Sequence, residues 1–271
     1  MAERTTFLAS RDNPRIRLLA ALAGSAGTRR EHGQTLLDGI HLLACALDAG
    51  VALLEICVSE SGCGHPEIAA LLDRLPAGAA AIRVPDAIFS RLSTVDTPVG
   101  ILARIAAPAN VPTSAERKAS LVILDAIQDP GNLGAILRTA AAAGIASVWL
   151  TPGCAQAWSP KTLRAGMGAH FHLRISERVD ALANLAGYGG KVMATDAGAG
   201  ARTLFDADLR APLAWLFGAE GQGVSPALRA RADEILAIPM AAGAESLNVG
   251  AAAAVCLFEQ VRQRRESEHG R

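Results

Sequence analysis

The stretch from Gly218 to Glu259 constrains this chain more than any other. It opens with Gly218-Ala219-Glu220-Gly221-Gln222-Gly223, continues into a short apolar strand ending at Ile238-Pro239-Met240, and reaches Ser246-Leu247-Asn248-Val249 at the head of an Ala-rich helix pattern. Glycines let a ligand or another backbone approach closely. A helix N-terminus offers N–H groups that have no partner within the helix. Together they make a place where a small ligand meets backbone amides. The glycine spacing is not that of the dinucleotide fingerprint, and no Lys follows as in a P-loop. Taken singly, Glu220 reads as an exposed residue in a turn and Ser246 or Asn248 as a helix cap. The strand before the loop is apolar, and ligands of open α/β sheets bind at the carboxyl ends of strands.

Upstream, strand and helix patterns alternate. The first set predicts helices over 13–23, 40–49, 66–75 and 86–92, with Asp86 as a cap and Gly50 as a C-cap. Its strands fall at 35–37, 53–59, 80–84 and 100–105. Pro108, Asn110, Pro112, Thr113 and Ser114 then break regular structure. The expected division is a small α/β domain over 1–107, a linker over 108–118 and a second α/β domain over 119–271. In the second domain, strands at 121–125, 148–150, 172–175, 191–195, 213–217 and 235–238 alternate with helices. These helices fall at about 132–143, 159–165, 179–185, after Ser225, and from 247 to about 264. Such alternation predicts a layered fold with a mostly parallel sheet. The residues beyond 265 read as a polar tail.

Twenty-six basic and 26 acidic residues balance, so no global field announces a nucleic-acid partner. The local basic cluster is Arg11, Arg15, Arg17, Arg29 and Arg30, equally readable as a solvated helix face. Five scattered cysteines fit no zinc spacing and read as reduced thiols, so no metal is expected. No apolar run reaches the roughly 20 residues of a membrane span, and no leader pattern opens the chain. A soluble, cytoplasmic protein without a membrane partner is expected.

Two more segments bear on chemistry. Asn132-Leu133-Gly134 with Arg138 opens a helix after a strand, and Ile238-Pro239-Met240 precedes Ser246-Leu247-Asn248. With the glycine loop they form three motifs in order, and together they resemble the signatures of the SpoU (TrmH-type) family of RNA ribose 2′-O-methyltransferases, in the knotted SPOUT class. That family shows Asn-x-Gly-x-x-x-Arg, Gly-x-Glu-x-x-Gly and Ile-Pro-Met followed by Ser-Leu-Asn-Val, and this chain carries each over 121–260. Gly250-Ala251 stands where Ser-Val is more usual. The N-terminal stretch resembles the family's accessory substrate-binding domain, similar to kink-turn-binding ribosomal proteins. Ser10-Arg11-Asp12-Asn13-Pro14, Leu37-Asp38-Gly39-Ile40-His41 and Thr97-Pro98-Val99-Gly100 carry that likeness, with Asp38 where Glu is commoner.

The resemblance implies a C-terminal segment threaded into a trefoil knot, S-adenosylmethionine as cofactor, and a homodimer with its site at the subunit interface. By motif position, Gly218, Ile238, Met240 and Leu247 line the adenosine pocket, with Thr195 at its edge. Arg138 is the residue the family proposes as proton acceptor. A guanidinium, with a pKa above about 12, is better suited to clamping a phosphate and stabilising alkoxide charge. Asn132 and Glu220 are implied to hold Arg138 or the loop, and Ser246 and Asn248 to orient the ribose. The implied substrate is RNA, ribosomal in preference to transfer RNA. A nucleotide- or NAD-dependent enzyme is argued against by the missing fingerprints, and a non-catalytic RNA-binding relative by the intact Arg138, Glu220 and Asn248. The small, apolar run Val249–Val261 of the last helix is expected to meet a second subunit.

Overall fold

A computed structural model describes residues 5–75, 79, 81–196, 201–241 and 246–269. The first residue of the strand expected over 80–84, the small-residue loop at 242–245 and the end of the tail at 270–271 lie outside the described residues. The chain runs β1 (Thr5–Phe7), α1 (Pro14–Gly24), α2 (Ala26–His32), β2 (Gln34–Asp38), α3 (Ile40–Asp48), β3 (Leu53–Ser59), α4 (Pro66–Asp73), β4 (Ala81–Val84), α5 (Asp86–Leu92) and β5 (Ile101–Ala106). It continues through β6 (Leu121–Asp125), α6 (Pro130–Ala142), β7 (Ser147–Leu150), α7 (Pro160–Gly166), β8 (Arg174–Ser176), α8 (Ala181–Leu185), β9 (Lys191–Thr195), β10 (Arg202–Thr203), β11 (Leu213–Gly218), α9 (Pro226–Arg229), β12 (Glu234–Ala237) and α10 (Val249–His269). Two compact units divide it, residues 1–108 with 158–171, and 109–157 with 172–271.

The first unit is built on a mixed sheet in the order β1-β4-β3-β5-β2. Neighbours β1, β4 and β3 run parallel, while β5 is antiparallel to both β3 and β2. Alternation sorts the strands' side chains. Leu36, Cys57, Ile82 and Leu102 pack with Ile16, Leu19 and Leu22 of α1 and Ile88, Phe89 and Leu92 of α5. α3 packs against β2 and β5. Asn13 caps α1 by accepting from the Arg15 amide at 2.9 Å, with Pro14 in the first turn. Asp86 differs from expectation. It sits inside the first turn of α5, and its carboxylate accepts from the amide and hydroxyl of Ser61 at 3.0 and 2.8 Å, which holds its pKa below the usual range.

The five clustered arginines separate by environment. Arg29 is buried and donates to the carbonyls of Leu22 and Ala23 at 2.7 and 3.2 Å, closing the orphan end of α1. Arg15 pairs with the buried carboxylate of Glu55, which Arg104 also faces at 3.6 Å. Arg11, Arg17 and Arg30 are exposed. Two members of the local basic cluster, Arg15 and Arg29, are therefore structural.

The second unit holds a seven-stranded sheet in the order β10-β12-β9-β11-β6-β7-β8. Every described pairing in it is parallel. Trp149, Ala214, Leu216 and Val192 join Ala181, Leu185 and Leu228 on one face. α6 and α10 pack against each other, and α10 also against β11. There the Trp215 indole donates to Gln260 Oε1 at 3.0 Å and stacks on Phe217. Gly144, at φ 74°, ends α6 with Gly144 N bonded to Ala141 O and Ile145 N to Ala140 O, the Schellman pattern. The strand expected over 172–175 begins instead at Arg174, after a 3₁₀ turn over Ala169–His172. Ser225 occupies the N-cap of α9 without a side-chain cap bond. β1, α2 and β10 were not anticipated.

From Asn110 on, the stretch expected as a linker is bonded into the second unit. Asn110 donates to Ile175 O at 3.1 Å, and Arg174 donates to Val111 O at 2.9 Å. Glu116 is 5% exposed. It accepts from the Thr113 amide at 3.1 Å and the Trp149 indole at 2.9 Å, and faces Arg174 at 2.6 Å. Glu116→Ala strands a buried indole N–H, so it is expected to cost about 2–3 kcal/mol. Glu116→Gln keeps an acceptor for the indole but sets its amide against the Arg174 guanidinium, so a smaller loss of about 1 kcal/mol is expected. Denaturation followed by tryptophan fluorescence measures both. Equal losses would remove the indole bond as the cause.

Candidate active site

Because the second sheet is parallel, its strands end along one edge. Asp125 of β6 pairs in register with Gly218 of β11, and Thr195 of β9 with Leu236 of β12. From β6 the chain proceeds to β7 on one side, and from β11 to β12 on the other. This reversal of strand order is where open α/β sheets leave a crevice for ligands.

The glycine loop leaves β11 here. A Cβ at Gly218 would lie 2.0 Å from Gly223 C and 2.1 Å from Val224 N, so the loop folds back directly over its first residue. Gly223 N donates to Ala219 O at 2.8 Å, and Gly221 and Gly223 take φ of 82° and 67°. These are the left-handed conformations that glycine adopts without steric cost. The closed loop projects Glu220 towards α6 and α10.

Asp129 caps α6 by accepting from the Asn132 amide at 2.7 Å, which fixes Asn132 in the first turn. Asn132 Nδ2 donates to Glu220 Oε1 at 2.8 Å. Asn248 Nδ2 donates to the same Glu220 oxygen and to Asn132 Oδ1, each at 2.8 Å. Asn248 Oδ1 meanwhile accepts from the amides of Gly250 and Ala251 at 2.9 and 3.3 Å, so one side chain caps α10 and joins the three motifs. Residues 116 positions apart thus meet in one hydrogen-bonded triangle. A Cβ at Gly250 would meet the methyl of Ala135 at 3.5 Å, an ordinary contact, so α10 starts against α6 here.

Beside the triangle lies a cleft of about 630 Å³, lined by Thr195, Gly218, Glu220, Ile238, Met240, Ser246, Leu247 and Asn248 among others. The residues expected around an adenosine, Thr195, Gly218, Ile238, Met240 and Leu247, all line it. Leu236, Val249, Ala252 and Asp196 line it as well and were not anticipated. Leu236 belongs to a strand run that reads as core, and Val249 and Ala252 to the helix run expected to meet a second subunit, and only the fold turns them towards a ligand. Asp196 is paired with Arg229 at 2.7 Å.

Arg138 stands apart from both features. It lies on α6 but is exposed and does not line the cleft. Among the described residues it has no hydrogen-bond or ion-pair partner. Asn132 and Glu220 bond to each other and to Asn248, and neither is bonded to Arg138. Thiol chemistry has no support nearby, since burial raises Cys154 to about 11 and Cys256 to about 12. Among the described residues no three His, Cys, Asp or Glu side chains gather as metal ligands, and no helix is long and apolar enough to cross a membrane.

A parallel sheet with a cleft of this size at its reversal point defines an α/β domain that binds a small cofactor. Residues 119–258 match the SpoU rRNA methylase family model, and residues 13–103 match the MRM3-like substrate binding domain. The chain belongs to the SpoU rRNA methylase family. It is 33% identical over 260 residues to an uncharacterized tRNA/rRNA methyltransferase of Synechocystis sp., covering 94% of this chain and 93% of that one. To the 23S rRNA (guanosine(2553)-2′-O)-methyltransferase RlmP of Bacillus subtilis it is 34% identical, over 85% of this chain and 91% of the other. The crystal structure of an rRNA methyltransferase from Sinorhizobium meliloti with AdoMet bound superposes with a TM-score of 0.82 at 27% identity, covering 96% and 98% of the two chains.

Proposed function

We propose that this chain transfers a methyl group from S-adenosylmethionine to a ribose 2′-hydroxyl of ribosomal RNA. The observation that carries the reading is the triangle of Asn132, Glu220 and Asn248 beside a cleft lined by the motif residues. The cleft suits this cofactor. Ile238, Met240 and Leu247 offer an apolar wall for adenine, the glycine loop brings backbone close, and the carboxylate of Glu220 favours a cation. When bound, S-adenosylmethionine supplies a methyl group activated by its sulfonium centre.

The chain's own residues have to place a poor nucleophile and manage charge. Ser246, which lines the cleft, orients the ribose, and Asn248, whose amide is already committed to Asn132, Glu220 and the head of α10, shapes the cofactor loop. Asn132 and Glu220 hold the glycine loop in the shape that receives the cofactor. Arg138, without a hydrogen-bond or ion-pair partner among the described residues, clamps a phosphate of the substrate and stabilises negative charge growing on the 2′ oxygen. A guanidinium stays charged at neutral pH, so this role fits it better than accepting the proton. The N-terminal unit presents Arg11, Arg17 and Arg30 to RNA, and the C-terminal threading of the family belongs to the same reading. Incubation with methyl-labelled S-adenosylmethionine and ribosomal RNA should give label on ribose 2′ oxygens. Label on a base, or on transfer RNA alone, would overturn it.

A homodimer completes the proposal. On α10, Ala253, Cys256 and Leu257 are buried within the protomer, whereas Ala251 and Phe258 are exposed, Phe258 to 47%. Ala251, Val255 and Phe258 follow the spacing of one helix face. A second copy applied by twofold symmetry covers such a stripe. Phe258→Glu is expected to leave the fold intact, split the dimer in sedimentation and lower activity in parallel. A fully active Phe258→Glu monomer would end the idea. Ala253→Arg, by contrast, should unfold the chain.

A further inference from the structure

The last residue of β6, Asp125, touches neither the cleft nor the triangle, yet it is bonded to the chain leading into each. It is 8% exposed, and among the described residues it forms no ion pair. A buried carboxylate without a cation has to be held by hydrogen bonds. Asp125 Oδ1 accepts from the Thr151 hydroxyl at 2.9 Å, and Oδ2 accepts from the Ser225 amide at 2.8 Å.

Those two donors lead to the two arms of the site. Ser225 closes the segment that begins at Gly218, and Gly218 is itself the register partner of Asp125. The loop bearing Glu220 therefore starts beside Asp125 in the sheet register and is tied to its carboxylate at Ser225. Thr151 Oγ1 accepts from the Ala126 amide at 3.1 Å. Ala126 takes φ 54°, the left-handed region that a non-glycine residue enters at a cost. That bend turns the chain from β6 towards Asp129 and Asn132 at the head of α6.

We infer that Asp125 is a positioning residue for the methyl-transfer site, setting the cofactor loop and the head of α6 in a fixed relation so that Glu220 and Asn132 meet. It acts through the glycine loop and α6, and touches no reacting atom. This rests on the proposed methyltransferase reading for its cofactor and activity readouts, but not for the exchange readout. In the ligand-free protein the same residue governs how often the 218–225 loop opens.

The test compares Asp125→Ala with Asp125→Asn. Alanine leaves the Ser225 amide without an acceptor. Asparagine can turn its oxygen to Ser225 N and its amide to Thr151 Oγ1, and so keeps both bonds. In Asp125→Ala, amide hydrogen exchange at 218–225 without ligand should quicken by about tenfold, and S-adenosylmethionine affinity by calorimetry should fall by about tenfold, the ratio attached to one buried hydrogen bond. Asp125→Asn should stay within about threefold of wild type in both. Lower thermal stability in Asp125→Ala with unchanged loop exchange, affinity and kcat would make Asp125 merely structural and overturn the inference. Should Asp125→Ala fail to fold, Thr151→Val serves. It frees only the α6 arm, so kcat should drop with cofactor affinity held, and a wild-type kcat would count against the inference. A wild-type protein that does not bind S-adenosylmethionine would sink the function and leave the exchange result to judge Asp125.

Discussion

Arg138→Ala is expected to lower methyl transfer by about a thousandfold, the scale of losing a preorganised group that stabilises developing charge. Cofactor affinity should stay within about threefold, because Arg138 lies outside the cleft and outside the hydrogen-bonded triangle. Stability should also hold, since an exposed side chain without partners among the described residues leaves none of them unpaired when it is removed. Arg138→Lys should rescue poorly, because an ammonium cannot reproduce the planar fork that grips a phosphate in two places. The measurement is single-turnover methyl transfer alongside calorimetry with S-adenosylmethionine. A variant with wild-type turnover would take Arg138 out of the mechanism. One that loses cofactor binding in proportion would place it in the cleft instead.

The separation of Arg138 from its motif partners shows what a sequence discloses and what it hides. The motif that contains Asn132 and Arg138 reads as one unit, but six residues of helix span about 9 Å along the axis and turn the two side chains to different faces. Asn132, in the first turn, meets the glycine loop, whereas Arg138 looks outward. Helix starts were readable to within about two residues, α6, α8 and α10 beginning at 130, 181 and 249 where 132, 179 and 247 were expected, because capping is local. Asn13, Ser159 and Asp180 each accept from an amide two or three residues on. The same rule misplaced Asp86, whose carboxylate found Ser61, 25 positions away. Strands of two or three residues, such as β1 and β10, are too short to show periodicity and exist only because a neighbour pairs with them. Long side chains hid most. The reach of Arg29 back to the end of α1, and the grip of Glu116 on Trp149, are tertiary bonds that leave no mark on spacing. Of the site, the motif residues were readable because glycines, Pro239 and short polar side chains announce an unusual backbone. The apolar lining from Leu236, Val249 and Ala252 was not, since these look like any core or interface residue until the fold opens a cleft beside them.

Gly218→Ala tests whether the glycine loop makes the cofactor site. The added methyl would sit 2.0 Å from a backbone carbon of Gly223, and no flexible side chain is there to give way. The loop has to move, and Glu220 moves with it. Overpacking of this kind costs about 1–3 kcal/mol or more, so S-adenosylmethionine affinity is expected to fall by about ten- to a hundredfold. A misplacement of roughly 1 Å in Glu220 should lower turnover by a further factor of about a hundred. The fold should survive, because the rest of β11 is paired in register with both β6 and β9. Gly221→Ala separates space from conformation. Position 221 has φ 82° but nothing within 4 Å of an added methyl, so only backbone strain opposes it. A left-handed alanine costs about 1–2 kcal/mol, and part of that relaxes in an exposed turn, giving a loss of about tenfold or less. Calorimetry on both variants, with circular dichroism as the check on folding, should therefore rank Gly218→Ala well below Gly221→Ala. Wild-type affinity in folded Gly218→Ala would mean that the cofactor is held elsewhere, and the reversed order would mean that backbone strain at 221, rather than the close fold-back at 218, shapes the cleft.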